Sequence, residues 1–168
     1  PVPGPDEVLI RVAAAGICGT DIKIWHGTTW SNPPVILGHE YSGVVVGLGR
    51  NVTGLQPRDR VVSETAQVVC GKCAYCRSGR ELMCDRRLSI GYGVNGAMAE
   101  LVVVNESHVY AIPDTVSFKA AALTELVGCS FRCIERCSIP YSADVLILGC
   151  GASGNLLTQL AKGSAAGT

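Results

Sequence analysis

Short apolar runs separated by glycine and proline turns cover the first two thirds of the chain. β-branched and apolar positions predict strands at residues 7–14, 41–48, 60–63 and 99–104. A short helix is expected from Thr20 or Asp21, either of which can cap it, to about Gly27. Closely spaced short strands with glycine turns predict a small, partly open β-barrel.

From Ser117 onward the short strand-like apolar runs give way to apolar residues at helical spacing. Apolar residues at near-helical spacing predict a helix from Ala120 to Arg136. Residues 144–148 (DVLIL) are almost wholly apolar, which is typical of a buried parallel strand, and a helix is expected at 155–162. We therefore expect a mainly β domain at 1–116, followed at 117–168 by connecting helices and the first βα unit of an α/β domain.

Composition argues against nucleic-acid binding, a membrane span and a complete disulfide framework. The 168 residues carry a net charge of zero, so no basic surface is expected to bind nucleic acid. No apolar run approaches the length of a membrane span, and no secretory signal segment opens the chain. Nine cysteines are an odd number, which favours metal ligands in a reducing cytoplasm over a complete disulfide framework.

Four of these cysteines form a C-x2-C-x2-C-x7-C pattern, made of Cys70, Cys73, Cys76 and Cys84. Four thiolates can complete the closed tetrahedron of a structural zinc site. Two disulfides, an iron–sulfur cluster and metal-free buried thiols are the alternatives. The short loops between the cysteines and the absence of a proline after the last one make zinc the favoured prediction.

A second candidate site is the glycine-rich turn after the apolar run at 144–148. Gly149, Gly151 and Gly154 form G-x-G-x-x-G between a predicted strand and a predicted helix, the context in which this pattern binds a dinucleotide. An ordinary glycine-rich turn is the alternative. The acidic residue that would choose between NAD and NADP is expected further along than residue 168. We therefore expect these residues to be the front part of a longer protein.

Several isolated residues suit a second metal. Cys18, His39 and Glu40 together supply a thiolate, an imidazole and a carboxylate, which suits a catalytic zinc with an open position. Taken singly, a cysteine such as Cys18 is more often a buried apolar filler than a ligand, and a loop histidine such as His39 is usually a polar surface residue. Glu125 is a further candidate ligand, and a helix-surface carboxylate is its alternative role.

The order of these motifs resembles the medium-chain, zinc-dependent alcohol dehydrogenase family. The matching features are G-I-C-G-T-D around Cys18, G-H-E around His39, the four-cysteine pattern and the glycine fingerprint. The resemblance covers nearly the whole chain. It implies a GroES-like catalytic domain, a Rossmann cofactor domain, two zinc ions per chain, and NAD or NADP as cofactor. It also implies Cys18 and His39 as ligands of the catalytic zinc, with Glu40 as a ligand or an exchangeable near-ligand, and the four cysteines as ligands of the structural zinc.

Within that family the chain is most similar to the polyol and threonine dehydrogenase branch. Glu125 lies 24 residues before Gly149, a separation that matches the branch without a gap. The chain departs from the branch at Leu126, where a proline is usual, and at Lys23, where many members carry a proton-relay histidine. The segment around Cys129 also resembles the one that supplies a second cysteine ligand in classical alcohol dehydrogenases, so Glu125 and Cys129 both remain candidate ligands.

The resemblance implies hydride transfer between an alcohol or polyol and a nicotinamide cofactor. Thr20 would accept the substrate's hydroxyl proton, and a homodimer or homotetramer is expected. A non-catalytic GroES-like zinc module and a zinc-free reductase are the other readings. Trp25, Trp30 and Tyr92 are candidates for lining a substrate cleft or for packing. The 168 residues alone are expected to lack activity.

Overall fold

The computed structural model describes residues 1–164, which divide into two compact units that meet between Leu123 and Thr124. The strands are β1 (Glu7–Ala15), β2 (Tyr41–Leu48), β3 (Arg60–Ser63), β4 (Ala66–Val68), β5 (Leu88–Ser89), β6 (Leu101–Asn105) and β7 (Val109–Ala111). The α-helices are α1 (Gly19–Trp25), α2 (Ala74–Arg77), α3 (Phe118–Ala121), α4 (Thr124–Cys137) and α5 (Ala152–Gly163). Within the described range, every helix is too short or too polar to cross a bilayer.

The first unit is built on a five-stranded antiparallel sheet in the order β6-β1-β2-β3-β7. Strand β1 pairs with β2 up to the partners Ala15 and Tyr41, and the N–H of Gly16 continues this ladder to the carbonyl of Glu40 at 2.7 Å. The chain leaves β1 toward Cys18 and enters β2 from His39. Pairing of these two strands therefore brings both loops to the same end of the sheet.

The sheet owes its rigidity to an apolar core. Val8 and Ile10 alternate along β1 with more exposed neighbours and are completely buried, as expected for a strand with one face on the core. The other buried members of the core are Tyr41, Val45, Val61, Ile90, Ala97, Val102 and Val104. Each fully buried valine or isoleucine contributes about 1.5–3 kcal/mol to burial free energy. The loops that carry Cys18 and His39 are therefore attached to strands that are anchored in the apolar core.

Helix α3 belongs to the first unit and packs against strands β1 and β2. The hydroxyl of Ser42 donates to the carbonyl of Phe118 at 2.6 Å. The guanidinium of Arg60 lies 4.5 Å from the centre of the Phe118 ring and donates to the carbonyls of Pro113 and Val116. These contacts hold the chain against the sheet beyond residue 117.

Most predicted elements of the first unit are confirmed. The strands predicted at 7–14, 41–48 and 60–63 match β1, β2 and β3, whereas the strand predicted at 99–104 is β6, which begins later. The predicted cap of α1 was wrong: Cys18 is the N-cap, and Asp21 accepts a hydrogen bond from its N–H. The short strands β4, β5 and β7 were missed, because runs of two or three residues carry no periodicity.

The second unit contains α4 and α5. The predicted helix at 120–136 is divided into α3 and α4 by a turn at Ala122 and Leu123. No strand is assigned to residues 144–148 in the described chain, although burial alternates along them as in an extended segment, with Leu146 and Leu148 exposed. A β-strand is defined by its pairing with another strand, and no strand among residues 1–164 pairs with this segment.

Candidate metal centres and cofactor loop

The four cysteines of the predicted structural site converge in one lobe. Their sulfur atoms all lie within 4.8 Å of one another. The sulfur of Cys76 is 3.5 Å from that of Cys73 and 3.9 Å from that of Cys70, far longer than a disulfide bond. Zinc–sulfur bonds of about 2.3 Å in a tetrahedron place the sulfurs about 3.8 Å apart. The lobe therefore has the dimensions of a four-thiolate zinc site.

Main-chain N–H groups point at these sulfurs. The N–H of Cys73 donates to the sulfur of Cys70 at 3.3 Å, and the N–H of Cys76 donates to the sulfur of Cys73 at the start of α2. The N–H groups of Lys72 and Cys73 lower the pKa of the Cys70 thiol to about 6. Burial raises the pKa of the Cys76 thiol to about 12. Four thiolates this close need a cation, because like charges otherwise prevent full ionisation.

A second cluster forms at the end of β1 and the start of β2. Donor atoms of Cys18, His39 and Glu40 lie within 4.8 Å of one another. His39 and Glu40 are each 6% exposed, and Cys18 is half-buried. Burial of a carboxylate beside a thiol and an imidazole is costly unless a cation or hydrogen bonds compensate it. This donor set fits a zinc ion with an open position for substrate.

Asp21 organises this cluster, a role that the sequence analysis did not assign. Its side chain is 3% exposed. One carboxylate oxygen accepts the N–H of Cys18 at 2.8 Å, and the other accepts the N–H of Gly38 at 3.2 Å and lies 3.5 Å from Nδ1 of His39. Nδ1 of His39 is buried and has no hydrogen-bond partner among the described residues, so at 3.5 Å Asp21 is a close electrostatic neighbour of the ring. The C-x-x-D spacing of a capping box could have indicated the contact of Asp21 with the N–H of Cys18, but not its approach to His39.

Close main-chain packing fixes the loop that carries His39. Gly38 has a φ of +96°, and a Cβ there would lie 2.9 Å from the main-chain nitrogen of Met98. The carbonyl of Gly38 accepts the N–H of Ala97 at 2.9 Å. Gly96 packs so closely that a Cβ would lie 2.3 Å from the same carbonyl. Only glycines permit this approach, which sets the position of His39.

The remaining candidates of the first unit lie around this cluster or on the surface. Thr20 is half-buried in the first turn of α1, and Lys23 is exposed one turn later. The Tyr92 ring stands edge-on to the His39 ring with centroids 6.2 Å apart. Trp25 and Trp30 are 81% and 62% exposed, so neither is a core residue of this unit.

Glu125 and Cys129 belong to the second unit and lie on one face of α4. The sulfur of Cys129 is 3.6 Å from Oε1 of Glu125, one helical turn apart. Their competing roles as metal ligands stay predictions.

The glycine fingerprint has the local geometry of a tight turn before a helix. Gly149 has a φ of +113°, and Gly151 is the N-cap of α5. A Cβ on Gly154 would lie 1.8 Å from the carbonyl oxygen of Gly149, so no side chain fits there. The amide of Asn155 donates to the carbonyls of Cys150 and Gly151 and braces the turn. This cradle leaves room for a pyrophosphate at the helix N-terminus.

Comparison with known proteins places this architecture in a family. Residues 4–114 match the alcohol dehydrogenase GroES-like domain. The chain is 40% identical over 162 residues to sorbitol dehydrogenase of Halalkalibacterium halodurans, covering 96% of the chain and 47% of that protein. It is 39% identical over 166 residues to L-threonine 3-dehydrogenase of Xanthomonas oryzae, covering 96% of the chain and 48% of that protein. The chain thus spans about half the length of the curated relatives it matches.

Solved structures agree with the sequence comparison. A protein of Sinorhizobium meliloti, described as a zinc-binding dehydrogenase and crystallised with NADP, superposes with a TM-score of 0.94 at 38% identity. The match covers the whole of this chain and 49% of that one. The chain therefore belongs to the zinc-dependent, medium-chain alcohol dehydrogenase family with a GroES-like domain, in its polyol and threonine dehydrogenase branch.

Proposed function

We propose that the whole protein is a zinc-dependent dehydrogenase that transfers a hydride between an alcohol or polyol and NAD or NADP. The observation that carries this proposal is the convergence of Cys18, His39 and Glu40 within 4.8 Å, in a chain of this family. Relatives named as sorbitol and threonine dehydrogenases favour it over a GroES-like module used only for binding or assembly. A zinc-free reductase would need neither cysteine-containing cluster.

The proposal assigns one zinc ion to each cluster. The closed four-cysteine lobe would hold a structural ion. Cys18, His39 and Glu40 would hold the catalytic ion, with Glu125 as a further ligand, directly or through a water. An ion held by these residues would supply Lewis-acid polarisation of the substrate oxygen.

The chain's own groups would move the proton and place the cofactor. The hydroxyl of Thr20, two residues after Cys18, would accept the substrate's hydroxyl proton and pass it toward solvent past the exposed Lys23. The loop from Gly149 to Gly154 would bind the cofactor pyrophosphate at the start of α5. NAD or NADP supplies the hydride acceptor.

Domain limits, compartment and assembly are part of the same proposal. Residues 1–116 would form the catalytic domain, and 117–168 the connecting helices and the start of the Rossmann domain. The cytoplasm is proposed because its reducing conditions keep thiolate ligands available for metal. A homodimer or homotetramer is proposed from the family resemblance, and light scattering of the whole protein measures it.

The test is alcohol-dependent reduction of NAD and NADP by the whole, zinc-loaded protein, over a panel of simple alcohols, polyols, polyol phosphates and threonine. We expect turnover with at least one hydroxyl substrate. Cys18→Ser should abolish it while the circular dichroism spectrum stays native. The matched thiol control, Cys137→Ser, should retain it, because Cys137 is exposed at the end of α4. Full turnover by Cys18→Ser, or none by the native protein on any substrate, would count against the proposal.

A further inference from the structure

Helix α4 carries a row of thiols that the proposed function does not use. Cys129, Cys133 and Cys137 follow one another at four-residue intervals, and all three are exposed. Because an α-helix has about 3.6 residues per turn, residues four apart lie one above the other on the same face. The three thiols therefore form one row along α4.

One side chain on this face of α4 reaches the residue one turn earlier. The sulfur of Cys129 lies within 3.6 Å of Oε1 of Glu125. Because helical side chains generally lean toward the N-terminus, the thiol of Cys133 is expected to approach Cys129 in the same way. Their Cβ atoms are about 5–6 Å apart, which lets both sulfurs bond to one atom between them.

The number of cysteine sulfurs that can act together on α4 indicates what kind of ligand they could bind. Among residues 1–164, the sites with three or more convergent metal-ligand side chains are the two clusters of the first unit, and neither includes a residue of α4. The four-residue spacing lets two neighbouring sulfurs of the row act together, which is fewer donors than a complete zinc shell needs. A ligand that needs two thiolates and no further protein donor matches it best.

We propose that Cys129 and Cys133 form a dithiol site for a trivalent organoarsenical. In the reaction, an arsenic oxide R–As=O takes up two thiols and forms two As–S bonds. The two thiol protons leave with the oxygen as water, and neither arsenic nor sulfur changes oxidation state. Cys137 is a poorer partner for Cys133, because it is the last residue of α4 and Ser138 leaves the helix with a φ of +48°.

Phenylarsine oxide tests this site on the zinc-loaded full chain, in which the five ligand cysteines are occupied. One equivalent should give a single adduct whose mass shows the loss of one water. Trypsin cleaves after Lys119, Arg132 and Arg136, so arsenic bonded to Cys129 and Cys133 should join peptide 120–132 to peptide 133–136.

Matched serine variants distinguish the pairs. Cys129→Ser and Cys133→Ser should each lose the joined peptide, and Cys137→Ser should keep it. All three positions are exposed, so native circular dichroism spectra are expected and serve as the folding check. Separate, unjoined peptides, a junction between 133–136 and 137–162, or an adduct on another cysteine would each overturn the proposal.

Discussion

The Oδ1 atom of Asp21 lies 3.5 Å from Nδ1 of His39, and both side chains are almost fully buried. The same carboxylate accepts the N–H groups of Cys18 and Gly38, which lie on the two loops of the metal cluster. One side chain thus couples the segment that follows β1 to the segment that precedes β2. A carboxylate this close to a metal-binding histidine favours the ring orientation in which Nδ1 faces it.

Asp21→Asn should weaken zinc binding at this cluster by about 10- to 100-fold, the usual cost of losing such a partner. The amide keeps the shape but has one acceptor oxygen for two main-chain N–H groups, and it lacks the charge that favours the histidine orientation. Competition with a chelator of known affinity measures the effect. Zinc in the four-cysteine lobe is the internal control and should be retained. An unchanged affinity at the Cys18 cluster would contradict the role given to Asp21.

Gly16→Ala should move the carboxylate of Glu40 and lower zinc retention without unfolding the protein. A Cβ at residue 16 would lie 2.6 Å from Oε2 of Glu40, the flexible end of a side chain that can swing away. Gly19→Ala is the matched control, because a Cβ there meets nothing within 4 Å. Zinc content after dialysis, measured together with the melting temperature, checks the prediction. Equal zinc contents in the two variants would show that Glu40 does not help to hold the ion.

Cys70→Ser should mainly lower the stability of the protein, whereas Cys18→Ser should mainly lower its turnover. Binding at a closed structural zinc site contributes directly to folding, so loss of one sulfur from the lobe should lower the melting temperature or the soluble yield. Loss of Cys18 should mainly lower turnover, because the apolar core under its loop is unchanged. Thermal unfolding and kcat of the two variants provide the comparison. A native melting temperature for Cys70→Ser would argue that the lobe is not a structural metal site.

Glu125→Ala should empty the catalytic zinc site or abolish turnover, and Cys129→Ala should do neither. The separation of Glu125 from Gly149 matches the polyol branch without a gap, whereas a ligand at Cys129 would require about five residues to be lost, more than one helical turn. A carboxylate beside one thiolate and one imidazole also makes a harder site, which suits oxygen-rich substrates. Catalytic zinc content and kcat of both variants decide the matter. The reverse outcome, with Cys129→Ala empty and Glu125→Ala filled, would assign the ligand to Cys129.

Local spacing was sufficient to predict the four-cysteine lobe, whereas the grouping of Cys18 with His39 and Glu40 came from the family resemblance, and the residue that positions them was not predicted. The spacing of Cys70, Cys73, Cys76 and Cys84 restricts their separation in space, so the lobe could be predicted from cysteines alone. Asp21 was read only as a possible helix cap. Its contact with His39 depends on the pairing of β1 with β2, which no local pattern contains.

The same distinction applies to the elements. The long strands β1 and β2 have clear apolar patterns, and their limits were predicted closely. The turn that divides α3 from α4 lies in an alanine- and leucine-rich stretch with high helix propensity, so no local pattern predicted a break in the helix there. Residues 144–148 have a strand pattern, but no strand of the described structure pairs with them. Pairing, unlike propensity, is a property of more than one segment.

Zinc content of the whole protein tests the central claim most directly. The account predicts two zinc ions per chain after gentle purification, since the structure contains two separate donor clusters. Mild chelation should remove one ion together with alcohol-dependent reduction of NAD or NADP, because the catalytic site keeps an exchangeable position, and added zinc should restore both. The second ion should leave only as the protein unfolds. A single tightly held zinc per chain, or full turnover after the exchangeable ion is removed, would contradict the account.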